Sequence, residues 1–198
     1  MTIKNEGLRA YPKFSLCGLA CGCCTLYLGG HCPGCGAPGR PRCRLLKCAA
    51  EQGGVEYCSQ CEHYPCKRMA VTEDTVSFVT CRHRLKDLDQ LKRIGPAAFE
   101  AQMEQKLAIL AELLEDYNEG RRKSFYCLAV TLLPLAELET VMTGLRTLDP
   151  AMPGKEKAAA AINQLQAAAQ RHDILLKRNL KKSVQKKTNI EKEEGIVI

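Results

Sequence analysis

Beyond residue 96, Phe99, Met103, Leu107, Leu110 and Leu114 recur every three or four positions. That is the period of one helix face, and it predicts a helix over 97–117 that Asn118 and Gly120 end. A second helix is expected over 121–133. Pro134 interrupts it, and a third follows over 135–143. Pro150 and Pro153 mark a linker. The alanine-rich run 155–172 reads as a further helix. Its Ala158, Ala161, Ala168 and Ala169, with Ile162 and Leu165, suit close packing.

Upstream of residue 95 the pattern differs. Large aliphatic residues thin out, and glycines and prolines punctuate the chain. Short helices are expected at 25–28, stopped by Gly29 and Gly30, and at 43–50, stopped by Gly53 and Gly54. Pro65 is placed to open another at 66–69, because proline suits a first helical turn. After Lys177 the chain turns polar and basic and reads as a solvated tail. The fold class predicted is mainly α with minimal β, leaving room for one short hairpin beside a turn. Its parts are a cysteine-rich module at 1–95, an all-helical domain at 96–176 and a basic tail at 177–198.

Composition sharpens this picture. Eleven of the thirteen cysteines fall between residues 17 and 66. A segment so poor in apolar side chains needs a cross-link, either disulfide or metal. Residues 1–10 carry Lys4, Glu6 and Arg9 and no apolar run, so they do not read as a signal peptide. No stretch approaches the roughly 18 apolar residues of a membrane span. A cytoplasmic chain is therefore expected, and in a reducing compartment dense cysteine points to metal.

The spacing supports metal. Cys21/Cys24, Cys32/Cys35 and Cys58/Cys61 are C-x2-C pairs, each half of a tetrahedral thiolate site. Cys43/Cys48 is a wider pair, and Cys17 and Cys66 flank the set. These ten cysteines are the predicted ligands of two zinc ions. The proline- and glycine-rich loop after Cys35 suggests that Cys32/Cys35 meet Cys43/Cys48 at one ion. Cys21/Cys24 and Cys58/Cys61 would then close the other, with Cys17 or Cys66 as substitutes. His31 and His63 read as surface residues, Cys23 as a bystander, and Cys81 and Cys127 as ordinary buried side chains. Cys17, Cys21 and Cys24 also have the spacing that radical enzymes use for an iron–sulfur cluster. Those enzymes build a barrel of roughly 200 residues or more around it, for which this chain lacks both length and strands.

The succession of Cys17-Gly-Leu-Ala-Cys21, Cys24, Cys32-Pro-Gly-Cys35, Cys43, Cys48 and Gly54-Val-Glu-Tyr-Cys58-Ser-Gln-Cys61-Glu-His-Tyr-Pro-Cys66 resembles the domain-of-unknown-function 3795 family. These are cysteine-rich zinc-binding proteins of anaerobic bacteria and archaea with no assigned activity. The resemblance covers about residues 14–105. It implies metal binding and supplies no reaction.

Three functional classes follow. The first is a structural zinc protein whose saturated sites serve protein interaction. The second is an iron–sulfur or thiol-based redox protein or metalloenzyme. Ten motif cysteines exceed the eight that two sites need, and Cys66 beside Lys67 and Arg68 is the reactive-thiol candidate. The third is nucleic-acid binding through Arg40, Arg42, Arg44 and the basic tail. The formal charge of +7 assumes neutral thiols. Each four-thiolate zinc carries −2, so two sites lower the total to roughly +3. With no tryptophan to supply stacking platforms, the nucleic-acid case is the weakest.

Overall fold

The computed structural model describes residues 9–40, 43–69 and 78–177. Among them are seven α-helices and no strand. Residues 178–198, the bulk of the predicted basic tail, and Pro41 and Arg42 lie outside the described residues.

Two short helices belong to the cysteine-rich part: α1 (Thr25–Leu28) and α2 (Arg44–Glu51). Single 3₁₀ turns at Cys21–Cys23, Cys58–Gln60 and Lys67–Met69 accompany them. The last replaces the helix expected after Pro65. The remaining helices are α3 (Arg84–Ile94), α4 (Pro96–Asp116), α5 (Lys123–Leu132), α6 (Leu135–Leu145) and α7 (Gly154–Arg171). Four of these five stand where periodicity places them. Sequence reasoning had no helix at 84–94. There the apolar stripe is only Leu88 and Leu91, both fully buried, on an otherwise charged segment.

The 21-residue α4 is the central strut and touches α3, α5, α6 and α7. It joins α3 through Gly95 alone, with Pro96 at its first position. Leu110, Leu113, Tyr126, Leu133, Leu138, Met142 and Leu165 form a dense apolar interior, each at most 1 % exposed. Small residues do what the alanine pattern suggested, since Ala161 and Ala168 of α7 are fully buried.

That interior does not stop at residue 96. Phe14 is fully buried, with its ring centroid 4.7 Å from that of Phe99 on α4 and 6.0 Å from that of Tyr57. Tyr57 donates its hydroxyl to Glu100 at 2.5 Å, and Arg9 stacks over the Tyr57 ring at 4.9 Å. Lys13 and Tyr11 both reach Glu104 at 2.8 Å. The cysteine-rich segment thus has an aromatic core, which it completes by borrowing a face of α4. A reading in which metal alone substitutes for a core understates this packing.

Candidate metal centre

Residues 12–16, a run of turns and bends, form a spine from whose carbonyls the cysteine-bearing turns hang by backbone hydrogen bonds. The Gly22 amide donates to the Lys13 carbonyl at 2.6 Å, the Cys35 amide to Pro12 at 2.9 Å, and the Cys58 amide to Leu16 at 2.9 Å. Gly34 shows why the approach is so close. Its φ is +96°, and a Cβ there would lie 2.7 Å from the Pro12 carbonyl oxygen. Only glycine tolerates both demands.

Cys17 stands at the end of this spine, directly after Leu16. Its thiol lies 3.3 Å from the Ser15 hydroxyl, which itself accepts the Leu19 amide at 2.6 Å. Gly18 presses against α3, where an added Cβ would meet the Arg84 carbonyl oxygen at 2.4 Å.

The thiols fall into two neighbourhoods. In the first, Cys21 and Cys35 are both 6 % exposed and share a small apolar cluster with Leu16 and Ala49. Burial pushes the Cys21 thiol up to about 12, Cys35 adds to the rise, and Arg40 opposes it. The Arg40 guanidinium donates to the Cys32 thiol at 3.0 Å and also faces Cys21 and Cys35. In the second, Cys48, Cys58, Cys61 and Cys66 line one cavity of about 30 Å³, with Leu45 and Tyr64 among its walls. Burial lifts the Cys58 thiol to about 12, with further contributions from Cys17, Cys66, Cys48 and Cys61. Arg68 lies beside Cys48 on the solvent side, where the thiol raises its proton affinity, and 3.9 Å from Glu51.

This grouping differs from the pairing that spacing suggested. Cys43 caps the start of α2, whereas Cys48 lies within it. Cys43 is in extended backbone (φ −124°, ψ 129°), and of the two only Cys48 lines the cavity with Cys58, Cys61 and Cys66. Cys48 instead faces the Cys58–Cys61 turn. Cys24 also departs from its expected place. It is 8 % exposed within the main helical core, beside Cys23 and Cys127 rather than in the Cys21/Cys35 cluster. His31 and His63 are exposed, Cys127 is buried and Cys81 is half-buried.

All thirteen cysteines are free thiols. Among the described residues, no group of three or more Cys, His, Asp or Glu side chains is already drawn tightly enough to hold a metal ion. The donor chemistry nonetheless suits a soft cation: four thiols from α2 and two turns converge on a single cavity. Sequence reasoning found all of these thiols. It also expected basic side chains, Arg40 and Arg68 among them, to offset the thiolate charge, and it missed the spine that brings the turns together.

Another buried polar group lies on the far side of the Cys21–Cys23 turn. Asp87 and Lys106 line a second cavity of about 30 Å³, with Gln90, Gln102 and Thr131. Burial raises the Asp87 carboxyl to about 6 despite Lys106 and Lys86, lowers the Lys106 ammonium, and depresses His83 to about 4. Comparison of the chain with protein families, curated proteins and solved structures finds no match. No helix among the described residues is long and apolar enough to cross a membrane.

Proposed function

We propose that this is a cytoplasmic zinc protein in which cysteine thiolates hold two ions in closed four-thiolate sites, so that the cysteine-rich surface serves as a scaffold for another protein. The observation that carries the reading is the convergence of Cys48, Cys58, Cys61 and Cys66 on one cavity. Thiols that line one cavity are costly to bury as anions without a cation, as the burial-raised Cys58 shows, and a bound divalent ion removes that cost. A site saturated by four thiolates leaves no coordination position for substrate, which favours a structural role over catalysis. The resemblance of the cysteine pattern to the zinc-binding family of unknown function points the same way.

The arrangement of basic groups argues against nucleic acid as the partner. Arg40, the first arginine of the basic set, is engaged by Cys32 and so is not a free phosphate ligand. An iron–sulfur cluster would use the same thiols, and colour separates the two metals. Elemental analysis of anaerobically purified protein is expected to give two zinc ions per chain and a spectrum without visible absorption. A visible band with stoichiometric iron, or less than one metal per chain, overturns the proposal.

A further inference from the structure

We propose that the cleft between the Cys58–Gln60 turn and the α3–α4 junction binds a small zwitterion with an apolar body, the size of a free amino acid or a dipeptide. This site stands apart from the metal reading and needs no ion.

The cleft measures about 370 Å³, against about 30 Å³ for the cavity that the thiols line. A space of about 30 Å³ holds one or two waters, whereas small-molecule sites begin near roughly 300 Å³. Cys61 and Tyr64 are walls common to both spaces. Tyr64 is braced against α3, because its hydroxyl donates to Asp89 at 2.8 Å. On the opposite side the chain passes from α3 into α4 through Gly95, where an added Cβ would meet no atom within 4 Å.

Volume alone names no ligand, but the unused polar groups do. Ser59 lines the cleft and is 3 % exposed, and its hydroxyl has no hydrogen-bond partner among the described residues. A buried hydroxyl left unpaired costs stability, and a ligand that supplies a partner removes that cost. Gln60 uses its Oε1 to accept the Tyr57 amide at 3.0 Å, which leaves its Nε2 to donate. Lys92 and Glu62 line the cleft with opposite charges, and no ion pair involving either is present among the described residues. Leu91 and Pro96 add apolar surface, and Pro96 has no N–H to offer. A ligand that meets all of these carries an anionic group for Lys92, Gln60 and Ser59 and a cationic group for Glu62. Its apolar part covers Leu91, Pro96 and the Tyr64 ring. An α-amino acid or dipeptide with an aliphatic side chain has that set. An inorganic anion would be repelled by Glu62, and a purely apolar ligand would leave the Ser59 hydroxyl unpaired.

The test adds L-leucine, L-leucyl-L-leucine and N-acetyl-L-leucine amide in turn to the isotopically labelled full chain and follows its amide NMR signals. Leucine or the dipeptide is expected to shift the Ser59, Gln60, Glu62, Lys92 and Gly95 signals saturably, with a Kd of about 1 mM or tighter. The blocked compound lacks both charges and resembles a leucine inside a protein chain, so it should give no saturable shift. Lys92→Ala and Glu62→Gln should each weaken binding about two- to fivefold, the range of exposed charge pairs. Ser59→Ala should weaken it about two- to tenfold, yet leave the ligand-free chain no less stable in a thermal melt, since the lost hydroxyl had no partner. The proposal is overturned by the absence of saturable shifts from both zwitterions up to about 10 mM. Equal shifts from the blocked compound, or undiminished binding to a Lys92→Ala, Glu62→Gln double variant, overturn it as well.

Discussion

At the scale of single residues, two opposed titrations lie where α3 packs on α4. Asp87 is raised to about 6 by burial, so its protonated form is favoured in the folded chain. Its stabilising contribution is complete below the ordinary carboxyl value and is lost as pH rises through about 6. His83 is depressed to about 4, first by burial and then by Lys86, Lys106 and Arg82. Its contribution is complete above the ordinary imidazole value and is lost as pH falls toward 4. The two slopes oppose each other across the same interval. Asp87→Asn should therefore leave the histidine slope uncompensated, so that stability relative to wild type declines on acidification from pH 6.5 to 4. His83→Gln should tilt the difference the other way. Urea melts of both variants at several pH values, each compared with wild type, measure this; parallel profiles would refute it. The thiols themselves were legible in the sequence because C-x2-C spacing is a local geometric signal. Arg40 and Arg68 were legible only as charge, since the sequence does not say which basic side chain turns inward.

At the scale of elements, most helices could be read from periodicity because their apolar stripes are wide. The exception, α3, is held by Leu88 and Leu91 and by contacts made from outside its own sequence. The buried Arg84 donates to the Met69 carbonyl, and the loop at Gly18 packs on the helix's first turn. Such support is tertiary and leaves no local pattern. Gly18→Ala tests it. With φ at +92° and a Cβ that would sit 2.4 Å from the Arg84 backbone oxygen, the substitution must push the Cys17 loop off α3. Expected losses are about 2–4 kcal/mol of stability, from strain and overpacking together. Gly30→Ala, with φ at +71° and open space around it, carries the strain alone and should cost about 1 kcal/mol. Thermal melts that rank the two equally would show that the loop contact is unimportant. The pairing of cysteines that spacing suggests differs from the neighbourhoods in the fold for a related reason. Spacing counts residues, whereas in the fold Cys48 on α2 lines a cavity with Cys58, Cys61 and Cys66, and the backbone hydrogen bonds to residues 12–16 decide which turns meet.

At the scale of the whole molecule, the aromatic contact between Phe14 and Phe99 makes the cysteine-rich part and the helices share one interior. Phe99→Ala should cost about 3–5 kcal/mol, and its effect should reach both sides of residue 96. Metal retention against a chelator and helical circular dichroism, followed on one sample through a denaturant titration, should then change together. Two separated transitions would mean that the halves unfold independently. The sequence pointed to a change of character near residue 96 and could not show that Phe14, Tyr57 and Lys13 reach across it, because such contacts join positions far apart in the chain.

That reach also orders events while the chain is being made. Lys13 grips Glu104 across 91 positions of sequence. At about 5–20 residues per second, roughly 5–18 seconds of translation separate the emergence of the two. During that interval the cysteine turns leave the ribosome one after another while the face of α4 that backs them has not yet emerged. Nascent thiols in this chain thus meet the cell's ions and oxidants before they meet their own aromatic shelter.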